Sequence, residues 1–175
     1  MSRLEEIQAQ EALRDTALQR LATAAPYVRL LGIELDRRGD ELTTVLRFDP
    51  KLIGNPLLPA LHGGATGSFL EIAAIMQLAW DRIWEQIEAG GPAAEAIARG
   101  ALPAMPRTVD ITVDYLRSGR ARDAYARATV AKRGRRVANV RVEAWQEERE
   151  RPFAAAHGHF LLPAEKEPPA EDAAP

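Results

Sequence analysis

Residues 54–80 read GNPLLPALHGGATGSFLEIAAIMQLAW, and this stretch decides the fold. From Leu61 to about Ile87, apolar residues occur on every side of the predicted helix rather than along one stripe, and a helix of that kind is buried. Two features do not fit an ordinary core helix. It opens with His-Gly-Gly at residues 62–64, although glycine is a poor helix former, and Glu71 lies within its apolar run.

The segments on both sides of this helix are predicted to form antiparallel strands. Residues 33–48 alternate apolar and polar side chains around a Gly39-Asp40 turn, which indicates a hairpin. A Gly90-Gly91-Pro92 break and a short alanine-rich helix follow the central helix. Period-two patterning then predicts further strands at residues 109–115, 124–132, 136–145 and 153–162. The economical arrangement is α+β: a curved antiparallel sheet wrapped around a long central apolar helix, which is the hotdog fold.

The chain divides into three parts. Residues 1–26 are predicted to form an N-terminal amphipathic helix, because apolar residues such as Leu4 and Leu18 recur at helical spacing. Residues 27–163 form the hotdog domain. Residues 164–175 are acidic, rich in proline and free of aromatic residues, so they are predicted to be disordered.

The composition excludes several classes of function. Cysteine is absent, which excludes disulfides, thiolate metal clusters and a cysteine nucleophile. The formal net charge of -2 argues against a nucleic-acid binder. No apolar run approaches the ~18 residues that cross a membrane, and the N-terminus lacks a signal-peptide core, so we expect a cytoplasmic protein without membrane partners. His157 and His159 have no third ligand nearby in sequence, so no metal is assigned and no cofactor is expected.

The His-Gly-Gly motif is followed by a carboxylate nine positions after the histidine, and then by ITVDYLRSG (111–119) and ATVAKRGRRVANVRVEAW (128–145). This combination resembles the phenylacetate-degradation type of hotdog acyl-CoA thioesterase, relatives of 4-hydroxybenzoyl-CoA thioesterase. The resemblance covers roughly residues 30–162. It implies that Glu71 is the catalytic carboxylate and that Gly63 contributes its backbone N–H to polarise the thioester carbonyl.

The physical chemistry of these residues agrees with those roles. A helix N-terminus exposes unpaired N–H groups and the positive end of the helix dipole, so it stabilises an oxygen that gains negative charge. Glu71, expected to be buried beside Phe69 and Leu70, can act as a general base on water or attack the thioester carbonyl itself. His62, at the helix start beside two glycines, is better explained as a positioning residue than as a base.

The spacing of the motif also bears on assembly. Gly64 and Glu71 are seven residues apart, so they share a helix face but stand ~10 Å apart along the axis. One carbonyl can hardly contact both groups. We therefore expect composite sites built by two protomers of a homodimer, with a dimer of dimers as the alternative assembly.

Several residues are candidates for substrate binding. Asn55 could hold the thioester or a water through its amide, as an Asn or Gln ahead of the motif often does in the family, but it lies one residue further away than expected. An ordinary loop turn with Pro56 explains it equally well. His62 and Gly64 flank the proposed amide donor. Arginine forks match phosphate oxygens, so the basic turn could clamp the coenzyme A phosphates, against the alternative of solvated charge at a strand end. Its candidate residues are Arg133, Arg135 and Arg136.

The sequence therefore predicts an enzyme that hydrolyses an acyl-CoA thioester to a free acid and CoA, with water as cosubstrate. The alternative is a noncatalytic hotdog protein that binds acyl-CoA or an acyl carrier. IGNPLLPA is also similar to a loop of hotdog hydroxyacyl dehydratases, but Lys51 and Ala65 stand near the places where that chemistry needs a histidine and an acid. Leu57, Leu58 and Phe69 suggest an apolar acyl pocket without identifying the acyl group.

Overall fold

The computed structural model describes residues 2–164, so the predicted disordered tail lies outside the described residues except for its first position. The helices are α1 (Arg3–Ala24), α2 (Pro26–Leu31), α3 (Gly63–Ala89) and α4 (Gly91–Ala98). The strands are β1 (Ile33–Arg38), β2 (Glu41–Leu46), β3 (Ile53–Asn55), β4 (Ala60–Leu61), β5 (Arg107–Tyr115), β6 (Ala124–Arg133), β7 (Val137–Trp145) and β8 (Ala154–Leu161).

Six of these strands form one antiparallel sheet in the order β1-β2-β6-β7-β8-β5. The predicted hairpin is present: Arg38 pairs with Glu41, and Gly39 takes the positive φ of +63° that the tight turn requires. β3 and β4 make a separate small hairpin just before α3. β5 lies at an edge of the sheet, although three strands follow it in the chain. Its outer backbone groups therefore have no strand beside them among the described residues.

The central helix α3 is buried, as the sequence predicted, and the sheet wraps around it. It contacts β2, β5, β6, β7 and β8. Its large side chains Phe69, Trp80 and Ile83 are almost completely buried, each contributing roughly 1.5–3 kcal/mol by removal from water. Alanines on the facing strands, such as Ala126 and Ala138, are fully buried and let the helix approach closely. The α+β hotdog architecture is therefore confirmed.

Two helices precede the sheet. The predicted N-terminal helix is α1, which begins with a Ser2 and Glu5 capping box and packs on α3 through residues such as Leu21. The guanidinium of Arg14 lies 3.7 Å from the centre of the Trp84 ring, which fixes α1 against α3. The short helix α2 was not predicted, because its six residues are too few to show a helical period.

Candidate active site

The N-terminal tip of α3 consists of His62, Gly63 and Gly64. His62 is the N-cap residue, and its Nδ1 accepts a hydrogen bond from the Gly64 N–H at 2.9 Å. Among the described residues, none accepts a hydrogen bond from the Gly63 N–H. The two amides of the motif therefore differ: that of Gly64 is used by the histidine cap, while that of Gly63 is available at the positive end of the helix dipole.

The approach to this tip depends on a close backbone contact. A Cβ atom at Gly54 would lie 2.8 Å from the Cα of His62, so only glycine lets β3 run this close to the cap residue. The N–H of His62 donates to the carbonyl of Leu52 at 2.8 Å, and this bond holds the two segments together. The tip is thus fixed by the chain that leads into it.

Glu71 lies two turns further along α3, on the side that faces β5. Its Oε1 accepts a hydrogen bond of 2.6 Å from the Thr108 hydroxyl, while Phe69 and Leu70 turn into the core. Glu71 was expected to be buried, whereas the structure leaves it half-buried. The reason is that β5, the strand it faces, is the edge of the sheet, and no further strand lies beside it in the part of the chain that the structure describes.

Gly63, Gly67 and Glu71 are spaced by four residues, so they lie along one face of α3. Eight residues of helix put Gly63 and Glu71 ~12 Å apart along the axis. Within one chain, the free amide and the carboxylate are therefore too far apart to act on the same carbonyl carbon. β5 runs over this face, with Thr108 at the Glu71 end and Tyr115 at the Gly63 end.

Comparisons with known proteins identify the family. The sequence profile described as "Thioesterase superfamily" matches residues 88–153. A protein of Escherichia coli K12, described as "Medium/long-chain acyl-CoA thioesterase YigI", is 33% identical over 124 residues, which cover 70% of this chain and 77% of the relative. The chain belongs to the thioesterase superfamily. The predicted family resemblance and the prediction of a thioester hydrolase are confirmed.

Solved structures share the fold of this chain. A Chromobacterium violaceum protein is 37% identical, with a TM-score of 0.60 over 89% of this chain and 97% of its own. The PaaI protein from the phenylacetic acid degradation operon of E. coli is 14% identical, with a TM-score of 0.63 over 86% of this chain and 93% of its own. A protein of Shewanella oneidensis related to the thioesterase superfamily is 22% identical, with a TM-score of 0.70 over 89% of this chain and 98% of its own. The last two show the fold alone.

Two side chains of β5 in this thioesterase were missed by the sequence analysis. Thr108 holds the Glu71 carboxylate, and the Tyr115 hydroxyl donates a 2.7 Å hydrogen bond to the Gly63 carbonyl. A Cβ atom at Gly67 would lie 3.5 Å from that hydroxyl, which places Tyr115 across the first two turns of α3. The polar positions of β5 were visible in the sequence, but which of them faces the helix depends on the β-bulge between Thr108 and Asp110.

The other predicted substrate-binding residues of the thioesterase fall into two groups. Asn55 lies near the α3 tip, where its Oδ1 accepts a hydrogen bond from the Leu57 N–H at 3.0 Å, so its carbonyl oxygen is engaged in a loop turn. Arg133 lies near the other end of α3, in an ion pair of 2.7 Å with Glu85. Exposed turn residues Arg135 and Arg136 follow it. The structure therefore brings Asn55 to the tip and leaves the three arginines at the opposite end of the helix.

One cavity is lined by residues of the tip, and a second lies beside the segment that leads into the tip. One, of about 550 Å³, lies between α2 and the start of α3 and is lined mainly by apolar side chains, including Leu30, Leu31 and Leu52, with Lys51 and His62 among its polar residues. The other, of about 500 Å³, lies on the side of the loops that connect the strands. The first has the size and the apolar lining of a ligand pocket.

The histidines of β8 lie elsewhere. His159 has Nδ1 at 3.0 Å from a carboxylate oxygen of Asp110 and Nε2 at 3.2 Å from the Asn139 amide, on the sheet surface that faces away from α3. Within residues 2–164, no cluster of three His, Cys, Asp or Glu side chains could hold a metal ion. No helix in the same range is both long and apolar enough to span a bilayer.

Proposed function

We propose that this thioesterase hydrolyses an acyl-CoA thioester to a free acid and CoA, with Glu71 as general base or nucleophile and the Gly63 N–H as oxyanion donor. The observation that carries the proposal is a free amide and an accessible carboxylate on one face of α3. The Gly63 N–H has no acceptor among the described residues, and the Glu71 carboxylate is half-buried and held by Thr108. The relative YigI is described as an acyl-CoA thioesterase, which supports the same substrate class.

The tip supplies electrostatic stabilisation. Hydrolysis of a thioester passes through a tetrahedral intermediate whose carbonyl oxygen carries negative charge. The Gly63 N–H, at the positive end of a helix of 27 residues, is oriented for such an oxygen. His62 keeps the neighbouring Gly64 amide occupied, and in this way it fixes the backbone of the tip. His62 is therefore a positioning residue in this proposal.

Thr108 determines how Glu71 can react. Its hydroxyl donates to Oε1 of Glu71 and leaves Oε2 free to accept a proton from water or to attack the carbonyl carbon. The hydrogen bond fixes the rotamer of the carboxylate. The proton taken from the attacking water then passes to the departing thiolate of CoA, so the carboxylate is regenerated.

We further propose that two protomers share each active site. Within one chain Gly63 and Glu71 stand ~12 Å apart, so the amide of one protomer has to meet the carboxylate of another. β5, which lies over both groups, is an edge strand with Val109 and Tyr115 mostly exposed. Pairing of two β5 strands across a twofold axis would bring the required groups together in a homodimer, and a dimer of dimers is compatible with the same pairing.

The acyl group in this proposal is a medium or long aliphatic chain. YigI is described as acting on medium and long chains. The cavity of about 550 Å³ beside the tip has an apolar wall formed by Leu30, Leu31 and Leu52, which suits an aliphatic chain. His62 and Gly64 of the α3 tip also line it, and the thioester group has to sit at this tip.

Thiol release from a panel running from butanoyl-CoA to palmitoyl-CoA tests the reaction. Activity should be highest for the longer chains, and Glu71→Gln should lower kcat by about 10²–10⁴-fold. Glu85→Gln is the matched control, because Glu85 is an exposed carboxylate on the same helix. If acyl-CoA binds but turnover is the same in the wild type and in Glu71→Gln, the noncatalytic binding protein is the correct alternative.

A mixed dimer tests whether the sites are shared. A heterodimer that combines a Glu71→Gln protomer with a Gly63→Pro protomer, which lacks the amide donor, contains one intact site if each site takes Gly63 from one chain and Glu71 from the other. It should recover about half of the activity of the wild-type dimer. If each chain carried a complete site, no recovery would be seen.

A further inference from the structure

The second cavity, of about 500 Å³, is formed by three loops. These are the β3–β4 turn, the loop between β5 and β6, and the loop between β7 and β8, which all lie at one end of the sheet. Phe153 is buried at its base, and the exposed side chains of Leu58 and Pro59 form an apolar wall.

Three arginines line the cavity, and they differ in their partners. Arg120 lies 3.5 Å from Glu147, which also pairs with Arg122. Arg117 and Arg151 are exposed, and within residues 2–164 no carboxylate lies within ion-pair distance of either. Glu148 is the other carboxylate of the lining. Since Glu147 is already paired with two arginines, the cavity keeps two cationic side chains available to an anion.

The cavity is close to the α3 tip along the chain. Ala60 lines it and precedes Gly63 by three residues, so the two Cα atoms are at most ~11 Å apart. The N–H of Leu61 donates to the Gly119 carbonyl at 2.8 Å, and this bond ties the arginine-bearing loop to the segment that enters the tip. A substrate arm could therefore reach from the cavity to the Gly63 N–H.

We propose that this cavity binds the phosphate groups of the nucleotide part of CoA, with Arg117 and Arg151 as phosphate ligands and Leu58 and Phe153 as the apolar surface beside the adenine. Guanidinium forks bind phosphate oxygens through paired hydrogen bonds, and the pantetheine arm carries the thioester towards the tip. The inference rests on the proposed acyl-CoA hydrolysis. It assigns nucleotide recognition to the loop end of the sheet rather than to the Arg133–Arg136 turn predicted from the sequence.

The test compares two substrates with the same acyl group. Octanoyl-CoA carries the nucleotide, whereas octanoyl-N-acetylcysteamine carries only the thioester end. For Arg117→Ala/Arg151→Ala, the KM for octanoyl-CoA should rise at least 10-fold with kcat little changed, while kcat/KM for the short thioester stays within twofold. Equal losses on both substrates, or no change in the KM for octanoyl-CoA, would overturn the inference.

Two controls sharpen the comparison. Arg38→Ala/Arg99→Ala removes the same charge from exposed positions outside the cavity and should leave both substrates unaffected. Arg135→Ala/Arg136→Ala tests the turn predicted from the sequence, and a larger rise in the KM for octanoyl-CoA there would also contradict the inference. Adenosine 3′,5′-bisphosphate should inhibit hydrolysis of octanoyl-CoA competitively in the wild type and at least 10-fold more weakly in Arg117→Ala/Arg151→Ala.

The experiment separates this inference from the proposed function. Glu71→Gln should abolish hydrolysis of both substrates, because the thioester end is common to them. If hydrolysis of the short thioester does not depend on Glu71, the proposed mechanism fails whatever the arginines do. A different result would assign the cavity to a carrier protein. If Glu71 is required, and Arg117→Ala/Arg151→Ala lowers the rate with octanoyl acyl carrier protein but not with octanoyl-CoA, the nucleotide assignment is wrong.

Discussion

The two halves of α3 have the same apolar composition but different surroundings. The first half begins with two glycines, lies under the edge strand β5 and carries the half-buried Glu71. The second half carries Trp80, Ile83 and Trp84, and it is covered by α1. The C-terminal half is packed against α1 and stabilises the domain, whereas the N-terminal half leaves the Gly63 N–H and the Glu71 carboxylate accessible, as the proposed mechanism requires.

The largest expected effect concerns the C-terminal half. Trp80 is 1% exposed and lies edge-on to Trp84 with ring centroids 5.8 Å apart, so Trp80→Ala should lower the free energy of unfolding by about 3–5 kcal/mol. Chemical denaturation measures this change, with Trp145→Ala on the outer sheet surface as the control. The kcat of the folded fraction should stay within twofold of the wild-type value. A larger loss of kcat would contradict the division of α3 into a stabilising half and a functional half.

The next effect concerns the carboxylate in the N-terminal half. Thr108→Val removes the hydroxyl that donates to Glu71 but keeps the size of the side chain, so kcat should fall about 10-fold or more. Thr108→Ser keeps the hydroxyl and should retain most of the rate. Steady-state kinetics on one acyl-CoA gives both numbers. A Val variant as active as the Ser variant would show that Glu71 is positioned by something else.

A smaller effect is expected at the tip. Tyr115→Phe removes the hydrogen bond of 2.7 Å to the Gly63 carbonyl. Because a hydrogen bond of this kind contributes about 0.5–1.5 kcal/mol, kcat should fall about 2- to 10-fold with KM unchanged. Tyr125→Phe, on the outer face of the sheet, is the control. A rise in KM with an unchanged kcat would mean that Tyr115 binds substrate and does not position the Gly63 peptide.

The smallest expected effect concerns the stability contributed by Asp81, in the C-terminal half of α3, and its dependence on pH. Burial raises the pKa of Asp81 above its usual range, and the hydrogen bond from the Gln77 amide offsets this only in part. A carboxyl group whose pKa is higher in the folded than in the unfolded state gives stability that is lost as the pH rises through the folded pKa. Asp81→Asn should therefore stabilise the protein at neutral pH by less than about 1 kcal/mol, and the gain should vanish below pH ~3.9, the unfolded pKa.

Denaturation curves of the Asp81→Asn and wild-type proteins at several pH values check this prediction. Asp49→Asn is a suitable contrast, because the Lys51 N–H and the Lys51 side chain lower the pKa of Asp49. This variant should therefore lose stability at neutral pH and not gain it. A gain from Asp81→Asn that persists at low pH would show that burial of the charge is not its cause.

The sequence predicted the fold because the relevant signals are local. The all-round apolar helix, the period-two strands and the Gly39 turn each depend on near neighbours in the chain. The same holds for the His-Gly-Gly motif and Glu71. These features were sufficient to identify the architecture. They also single out Gly63 and Glu71, whose catalytic roles stay predictions, and the degree of burial of Glu71 was overestimated.

The rest of the site depends on contacts between distant residues. Thr108 meets Glu71 only because a bulge turns it towards α3, and Tyr115 reaches Gly63 across 52 positions of sequence. The cap from His62 to the Gly64 amide is a matter of side-chain rotamer, which no residue pattern specifies. The edge position of β5 follows from the strand order, and this is why a carboxylate inside an apolar run is half-exposed.

The central claim is that the Gly63 N–H is the oxyanion donor, and a pair of substitutions tests it most directly. Proline is tolerated at the first position of a helix, and the extended conformation of His62 (φ −62°, ψ 134°) suits a residue before proline, so Gly63→Pro removes the donor while keeping α3. Gly63→Ala keeps the N–H, and its Cβ would meet the Tyr115 ring at an ordinary 3.5 Å. With both variants folded, kcat should fall about 10²–10³-fold in Gly63→Pro and little in Gly63→Ala. Equal rates in the two variants would contradict the account.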